Sequence, residues 1–465
     1  MTTQVAARPA LETRQKWGLA VGAIGFLLPF FVELPGLEPE AARMLSIFIV
    51  AVVFWVTEAI PLFATATLVI LLEVLLLSST AVLPVGEDAA PASEFFSAMA
   101  NPVIMLFLGG FLIADGAAKF GLDRNLAAVF MRPFARSGRA LILGMMLITT
   151  LLGQFMSNTA TAAAMFAVVF PLLPMMPTPK ARAALAMSVP VAANIGGLGT
   201  PIGTPPNAIA VGVLAAQGTP VSFLGWMALA YPFMIALLAI GYLLLARWVP
   251  KDTEVNLAMT ASFDRSRNAI YFYLVAGGTI TLWMTEPLHG IPSHTVGFLP
   301  VVLLLAMQVM TGEDIKILDW PVLWLVAGGI ALGDGIGRAG LDAWLIGLID
   351  WTAMSTTVVI VVLVGAALVL GNFMSNSATA NLMIPLAVSF ASMIDANALL
   401  LAVVLALASS LGMSMPISTP PNAIAFSTGV IKPKDMAVIG ATIGLAGAVL
   451  LALVMPWLWT ALGLV

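Results

Sequence analysis

Met156-Ser157-Asn158-Thr159 returns 218 residues later as Met374-Ser375-Asn376-Ser377. Each copy lies in a long stretch without a charged residue. Each is followed by a second twin, Thr204-Pro205-Pro206-Asn207 and Thr419-Pro420-Pro421-Asn422. Polar and helix-breaking residues are costly in hydrocarbon. Two matched pairs of them point to one binding site built twice, by two halves of one chain.

The surrounding composition supports this. Of 465 residues, 61% are hydrophobic and 9% charged, with mean hydropathy +1.05. Soluble globular proteins carry about 25% charged residues, so an all-α polytopic membrane protein is predicted. The chain has no cysteine, which excludes disulfides and thiolate metal sites. His289 and His294 share a short polar segment with Pro287, Gly290 and Pro292 and read as loop residues. Arg8, Arg14 and Lys16 precede an apolar span with no small-residue cleavage site, so no cleaved signal is expected. Nothing suggests a nucleic-acid partner.

A span needs about 20 apolar residues. Candidates are 17–35, 43–60, 62–83, 94–118, 223–247, 268–286, 295–311, 320–338 and 435–462. Residues 140–176 and 355–394 are about twice a span and carry the Ser-Asn motif near the middle. Each is expected to be a re-entrant hairpin with a polar tip at membrane depth. Residues 183–216 and 398–428 are interrupted by Gly196-Gly197-Leu198-Gly199-Thr200-Pro201 and Gly412-Met413-Ser414-Met415-Pro416, and read as broken helices.

The repeat extends further. Gly109-Gly110, Asp115 and Gly121-Leu122-Asp123 recur as Gly328-Gly329, Asp334 and Gly340-Leu341-Asp342, and Trp55, Thr57 and Glu58 as Trp283, Thr285 and Glu286. Residues 43–247 therefore pair with 271–462, leaving 17–35 as an unpaired first span. With a cytoplasmic N-terminus and hairpins returning to their own side, 17 of the 19 Lys and Arg residues fall inside. Only Arg43 and Arg338 fall outside, as the positive-inside rule asks. The C-terminus is then external. The first hairpin opens to the cytoplasm and the second to the exterior, giving the inverted-topology repeat frequent in secondary transporters.

Ser, Asn and Thr at the hairpin tips are good N-caps, predicting half-helices over about 160–173 and 378–390. Proline is favoured at a first helical turn, so Thr204-Pro205-Pro206 and Thr419-Pro420-Pro421 should open helices as well. Four N-termini aimed at one place offer free N–H groups and partial positive charge. That is an anion site without a basic side chain. No Asp, Glu, Lys, Arg or His occurs in 140–179, 183–246, 353–394 or 396–431. A dianion has no lysine or arginine partner there, and a bound cation is the obvious additional charge. Side chains of Ser157, Asn158, Ser375 and Asn376, with carbonyls freed at the helix breaks, can coordinate sodium. The site holds no titratable group for proton coupling. Asp115 and Asp334, a symmetric pair near span ends, read as an interfacial capping or pairing set, with a part in ion transport as the alternative. Gln154 and Asn372, also symmetric, either shape the hairpin tips or contact ligand.

At these residues the chain resembles the divalent anion/sodium symporter family, whose members carry dicarboxylates, citrate or sulfate. The resemblance covers essentially the whole chain and rests on the duplicated Ser-Asn motifs, the duplicated Thr-Pro-Pro-Asn loops and the hairpin placement. It implies a substrate site bordered by Ser157, Asn158, Thr159, Ser375, Asn376, Ser377, Thr204, Pro205, Thr419 and Pro420. It implies one sodium site at Ser157, Asn158 and Gly203, and a second at Ser375, Asn376 and Ser418. It also implies a homodimer in the inner cell membrane, working as an elevator. The division would be 1–16 as cytoplasmic N-terminus, 17–138 and 251–352 as scaffold, and 139–250 and 353–465 as the moving transport domain. Two departures stand out. The second motif ends in Ser377 where threonine is usual. Gly153 and Gly371 occupy positions, four before each motif serine, where sodium-coupled members can place a hydroxyl.

The leading expectation is sodium-coupled import of a C4-dicarboxylate such as succinate, malate or fumarate. A sodium-independent dicarboxylate exchanger, or a sodium-coupled sulfate, organic sulfonate or citrate transporter, are the alternatives. An ion channel could also use broken helices and exposed carbonyls, though inverted asymmetric halves argue against it. An intramembrane enzyme lacks a nucleophile–base pair or metal-ligand cluster, and a proton antiporter lacks a membrane-embedded carboxylate.

Overall fold

The structure, a computed structural model, describes residues 11–465 apart from 33, 87, 135, 254–260, 349–353 and 392–395. The first ten residues of the expected N-terminal segment, and the expected boundary at 352–353, lie outside the described residues. Among the described residues, eight helices are long and apolar enough to cross a membrane, and five shorter apolar helices join them.

The two halves share one order of elements. In the first, Pro39–Thr57, Leu62–Leu77 and Pro102–Lys119 precede the paired arms Gly138–Gly153 and Asn158–Val169. Then come Pro179–Gly196, Pro205–Ala216 and the long helix Phe223–Ala246. The second half repeats this as Arg267–Met284, Ser293–Ala306 and Trp320–Arg338, then Thr356–Phe373 and Asn376–Ala391. Ala398–Ser409, Pro420–Ser427 and Pro433–Val449 follow, the last running through a π turn into Met455–Ala461. Thr13–Phe31 has no counterpart and packs on Pro39–Thr57.

Helix ends follow local chemistry. The Ser157 hydroxyl accepts from the Ala160 N–H at 3.2 Å, and the Ser375 hydroxyl from the Ala378 N–H at 3.1 Å. Both hairpins therefore turn where their serines cap the returning arm. After Gly196 one short 3-10 turn, Gly197–Gly199, gives way to extended backbone at Thr200, and helix resumes at Pro205. The second break runs from Ser409 to Pro420.

Packing crosses between the halves. Pro102–Lys119 lies on Ser293–Ala306, and Trp320–Arg338 lies on Leu62–Leu77. Glycine permits both approaches: a Cβ on Gly109 would overlap the Gly297 carbonyl, and one on Gly328 would sit 2.6 Å from the Ala66 Cα. The second pieces of the broken helices are exchanged likewise. Pro205–Ala216 packs on Asn376–Ala391 and Ala398–Ser409, while Pro420–Ser427 packs on Asn158–Val169 and Pro179–Gly196. Lys180 ties the same groups at one end, pairing with Asp435 at 2.7 Å and stacking over Trp248.

Two expectations need correction. The third span is helical only to Leu77, because Ser78 turns the chain to extended backbone. It also carries a membrane-embedded carboxylate after all. Glu73 is fully buried, and neither carboxyl oxygen has a hydrogen-bond partner. It fits because Gly335 has no side chain to obstruct it. Asp334 takes the pairing role, accepting from Arg338 at 2.6 Å.

Candidate functional site

Four helix N-termini converge on one cavity of about 270 Å³. Ser157, Asn158 and Thr159 open Asn158–Val169, and Ser375, Asn376 and Ser377 open Asn376–Ala391. Thr204 and Pro205 open Pro205–Ala216, and Ser418, Thr419 and Pro420 open Pro420–Ser427. Gly203 completes the set. All twelve residues that the resemblance implies as substrate or sodium contacts line this cavity. The crossed packing is what joins motifs more than 200 residues apart. Phe107, Phe111, Ile202, Pro206, Asp319 and Val322 supply the remaining wall; of these only Pro206 lies in a repeated motif.

The helix breaks are fixed by the loop asparagines. The Asn207 amide donates to the carbonyls of Gly197 at 2.9 Å, Leu198 at 3.3 Å and Thr200 at 2.7 Å. Its twin Asn422 donates to Met413 at 2.8 Å and Met415 at 3.0 Å. Each asparagine gathers carbonyls that helix breaking leaves without a partner. The Asn422 carbonyl oxygen accepts from Asn194, joining the two breaks. Gln154 and Asn372 shape the tips. The Gln154 side chain accepts from Tyr231 and its backbone carbonyl from Thr200, and Asn372 accepts from the Ser414 N–H at 3.2 Å.

The two Thr-Pro-Pro-Asn loops differ in one respect. Thr419 caps its helix, accepting from the Asn422 N–H at 3.4 Å. Thr204 makes no cap bond, and its hydroxyl is buried without a partner.

The amide oxygens of Asn158 and Asn376 are likewise buried and unpartnered. A buried polar atom without a partner costs about 1–3 kcal/mol, so such a matched pair calls for a ligand. Around the first, the bare Cα of Gly197 leaves a hollow. An added Cβ would lie 2.7 Å from the Asn158 amide oxygen, 2.9 Å from the Gly203 carbonyl and 2.6 Å from the Thr204 methyl. Around the second, a Cβ on Gly371 would lie 3.0 Å from the Ser409 carbonyl and 3.7 Å from the Asn376 amide oxygen. Amide oxygens and freed carbonyls suit a sodium ion; the N–H groups of four helix ends suit anionic oxygens. Among the described residues, Asp319 is the one charged side chain on the cavity wall.

His289 bonds within its own turn, through the Leu282 carbonyl and the Ile291 N–H, and His294 lines a separate apolar cavity.

Residues 13–465 match the pattern that defines the sodium:sulfate symporter transmembrane region. Among curated proteins, the sodium-dependent dicarboxylate transporter SdcS of Staphylococcus saprophyticus is 29% identical over 486 residues, covering 95% of this chain and 91% of the relative. SdcS of Staphylococcus aureus strain MRSA252 is 29% identical over 489 residues, covering 96% and 92%. Among solved structures, the Alcanivorax borkumensis YdaH transporter superposes with TM-score 0.52 at 14% identity, over 86% of this chain and 98% of that one. Neisseria gonorrhoeae MtrF gives 0.53 at 12% identity, over 90% and 96%. These two likenesses concern the fold.

Proposed function

The chain belongs to the sodium:sulfate symporter family, and from that premise we propose that it couples sodium entry to import of a C4-dicarboxylate such as succinate, malate or fumarate. The observation carrying this reading is the pairing of two unlike sites in one cavity. Four helix N-termini face it, while two unpartnered asparagine oxygens sit beside the helix breaks. No lysine, arginine or histidine lines it among the described residues. In this reading sodium binds at Asn158 with Ser157 and Gly203, and at Asn376 with Ser375 and Ser418. The buried Thr204 hydroxyl is a further oxygen for the first ion. The two sodium charges then offset the dianion, whose carboxylates meet the motif hydroxyls and the N–H groups at Thr159, Ser377, Thr204, Pro205, Thr419 and Pro420. The relatives' name, sodium-dependent dicarboxylate transporter, supports the dicarboxylate; the family's description supports sulfate as the second reading.

The movement proposed is an elevator. The hairpins, broken helices, 223–247 and 435–462 slide against a scaffold of the first four spans and 268–338, within a homodimer. Inverted halves make the two end positions near mirror images. Asp319 lies three residues from Lys316, on the cytoplasmic side by the positive-inside count. A cavity walled by Asp319 is therefore the inward-facing arrangement. Proteoliposome uptake of labelled succinate with and without a sodium gradient tests the reading. Uptake that ignores sodium but needs internal dicarboxylate would replace it with exchange.

A further inference from the structure

We propose that Asp319 determines release: its carboxylate weakens the dianion site in the cytoplasm-facing arrangement. This rests on the transport reading above and adds a residue that neither the motifs nor the repeat contains. Three observations meet here. Among the described residues, Asp319 is the one charged side chain in the wall of a cavity otherwise built to attract an anion. It stands at the start of scaffold helix Trp320–Arg338, whereas the motifs ride on the other set of helices. Its side chain is solvent-exposed and interacts with the Val322 N–H of its own helix, with no cation beside it among the described residues to cancel its charge.

Neighbouring charges leave it unbalanced. Asp115 lies close enough to interact with both Asp314 and Asp319. Lys119 is engaged by Asp314 at 2.8 Å, and Lys316 by Glu313 at 2.6 Å. No cation is paired with Asp319 among the described residues. The repeat sharpens the point. The matching helix Pro102–Lys119 starts at Asn101, which caps the Val103 N–H at 2.9 Å. Asn101 lines a cavity at the opposite end of the scaffold, with Glu73, Glu94, Asp334 and Arg338. Arg338 there engages both Asp334 and Glu94, much as Lys119 engages Asp314. At the repeat's own offset Asp319 falls on Ala100, the neighbour of Asn101, so the position that an inverted repeat would bring to the pocket when it faces outward carries no charge. A scaffold carboxylate that meets the substrate in one arrangement only raises the energy of that loaded arrangement and hastens unloading. Sodium, being of opposite sign, is not repelled.

The test uses the full chain in right-side-out and inside-out membrane vesicles, with labelled succinate as probe. Asp319→Asn removes the charge while keeping a good N-cap residue; Asp319→Glu keeps the charge. One charge facing a dianion across a hydrated pocket is worth about three- to tenfold in affinity at low salt, less as screening rises. Asp319→Asn is expected to lower the cytoplasmic-side KM for succinate by that factor, leave the external KM within about twofold, and lose its effect at high ionic strength. Asp319→Glu should match the parent. An unchanged cytoplasmic KM in Asp319→Asn overturns the proposal. So does a rise in its sodium requirement beyond about threefold, more than loss of a through-space attraction to a monovalent ion gives, which would make Asp319 a sodium ligand. Parent vesicles that take up no succinate in either orientation would instead remove the transport reading beneath it.

Discussion

Gly197→Ala isolates the first sodium hollow from the rest of the fold. Gly197 has φ −60° and ψ −17°, helical values that alanine adopts freely, so the backbone is not strained. The damage comes from the methyl. It would stand 2.7 Å from the Asn158 amide oxygen and 2.9 Å from the Gly203 carbonyl, where ordinary contact begins at 3.4 Å. The carbonyl is held by the chain, so Asn158 must yield. Overpacking a tight site costs about 1–3 kcal/mol. If that strain is relieved only by moving the asparagine oxygen away, sodium affinity falls by roughly 5- to 150-fold. Gly153→Ala is the control: its methyl meets nothing nearer than 3.5 Å. The assay is the sodium concentration for half-maximal succinate uptake in proteoliposomes, with size-exclusion profiles to confirm that each variant folds. A folded Gly197→Ala protein with the parent's sodium dependence, or equal loss in Gly153→Ala, would refute the hollow as a sodium site.

Asn158→Ala and Asn376→Ala are each expected to abolish sodium-driven uptake at normal expression, and full activity in either would take its motif out of the site. Asn207→Ala and Asn422→Ala strip partners from buried carbonyls and should cost about 2–5 kcal/mol, read as a fall in melting temperature in detergent; an unshifted melt would show that the carbonyls find other donors. At Asp314, burial pushes the carboxyl up, but hydrogen bonds from Lys119 and Thr311 outweigh it and hold it below the ordinary value. A carboxyl depressed in the folded state contributes stability above its unfolded pKa of about 3.9 and loses it as pH falls further. Melting of the parent should therefore drop toward Lys119→Met below about pH 4, and a constant gap between them down to pH 3 would contradict the pair's role.

The sequence made the hairpins, the broken helices and the candidate residues legible because all rest on local signals. Serine caps, Pro-Pro openings, glycine runs and span lengths each act within one turn or one span. Twin motifs added a relation between distant segments without any contact being known. Other features lay beyond that reach. Glu73 hides in a strongly apolar run, and its place depends on the absent side chain of Gly335, which is far along the chain. The hollow at Gly197 needs three groups brought together by the break itself. Asn207 and Asn422 belong to a quoted motif, yet their grip on the loop carbonyls becomes visible only once the loop has a shape. Asp319, outside every repeated motif, meets the motifs only through packing between helices.

Synthesis runs from one end of the chain, whereas the pocket is closed by pieces from both. Pro205–Ala216 leaves the ribosome long before Asn376–Ala391 exists to cover it, and Asn158–Val169 waits for Pro420–Ser427. A half-made chain therefore carries polar tips and loose carbonyls into the bilayer with no partner to seat them. A chain that stops short of Ser427 lacks the helix that seats on Asn158–Val169 and Pro179–Gly196, so its first-half tip and break stay uncovered.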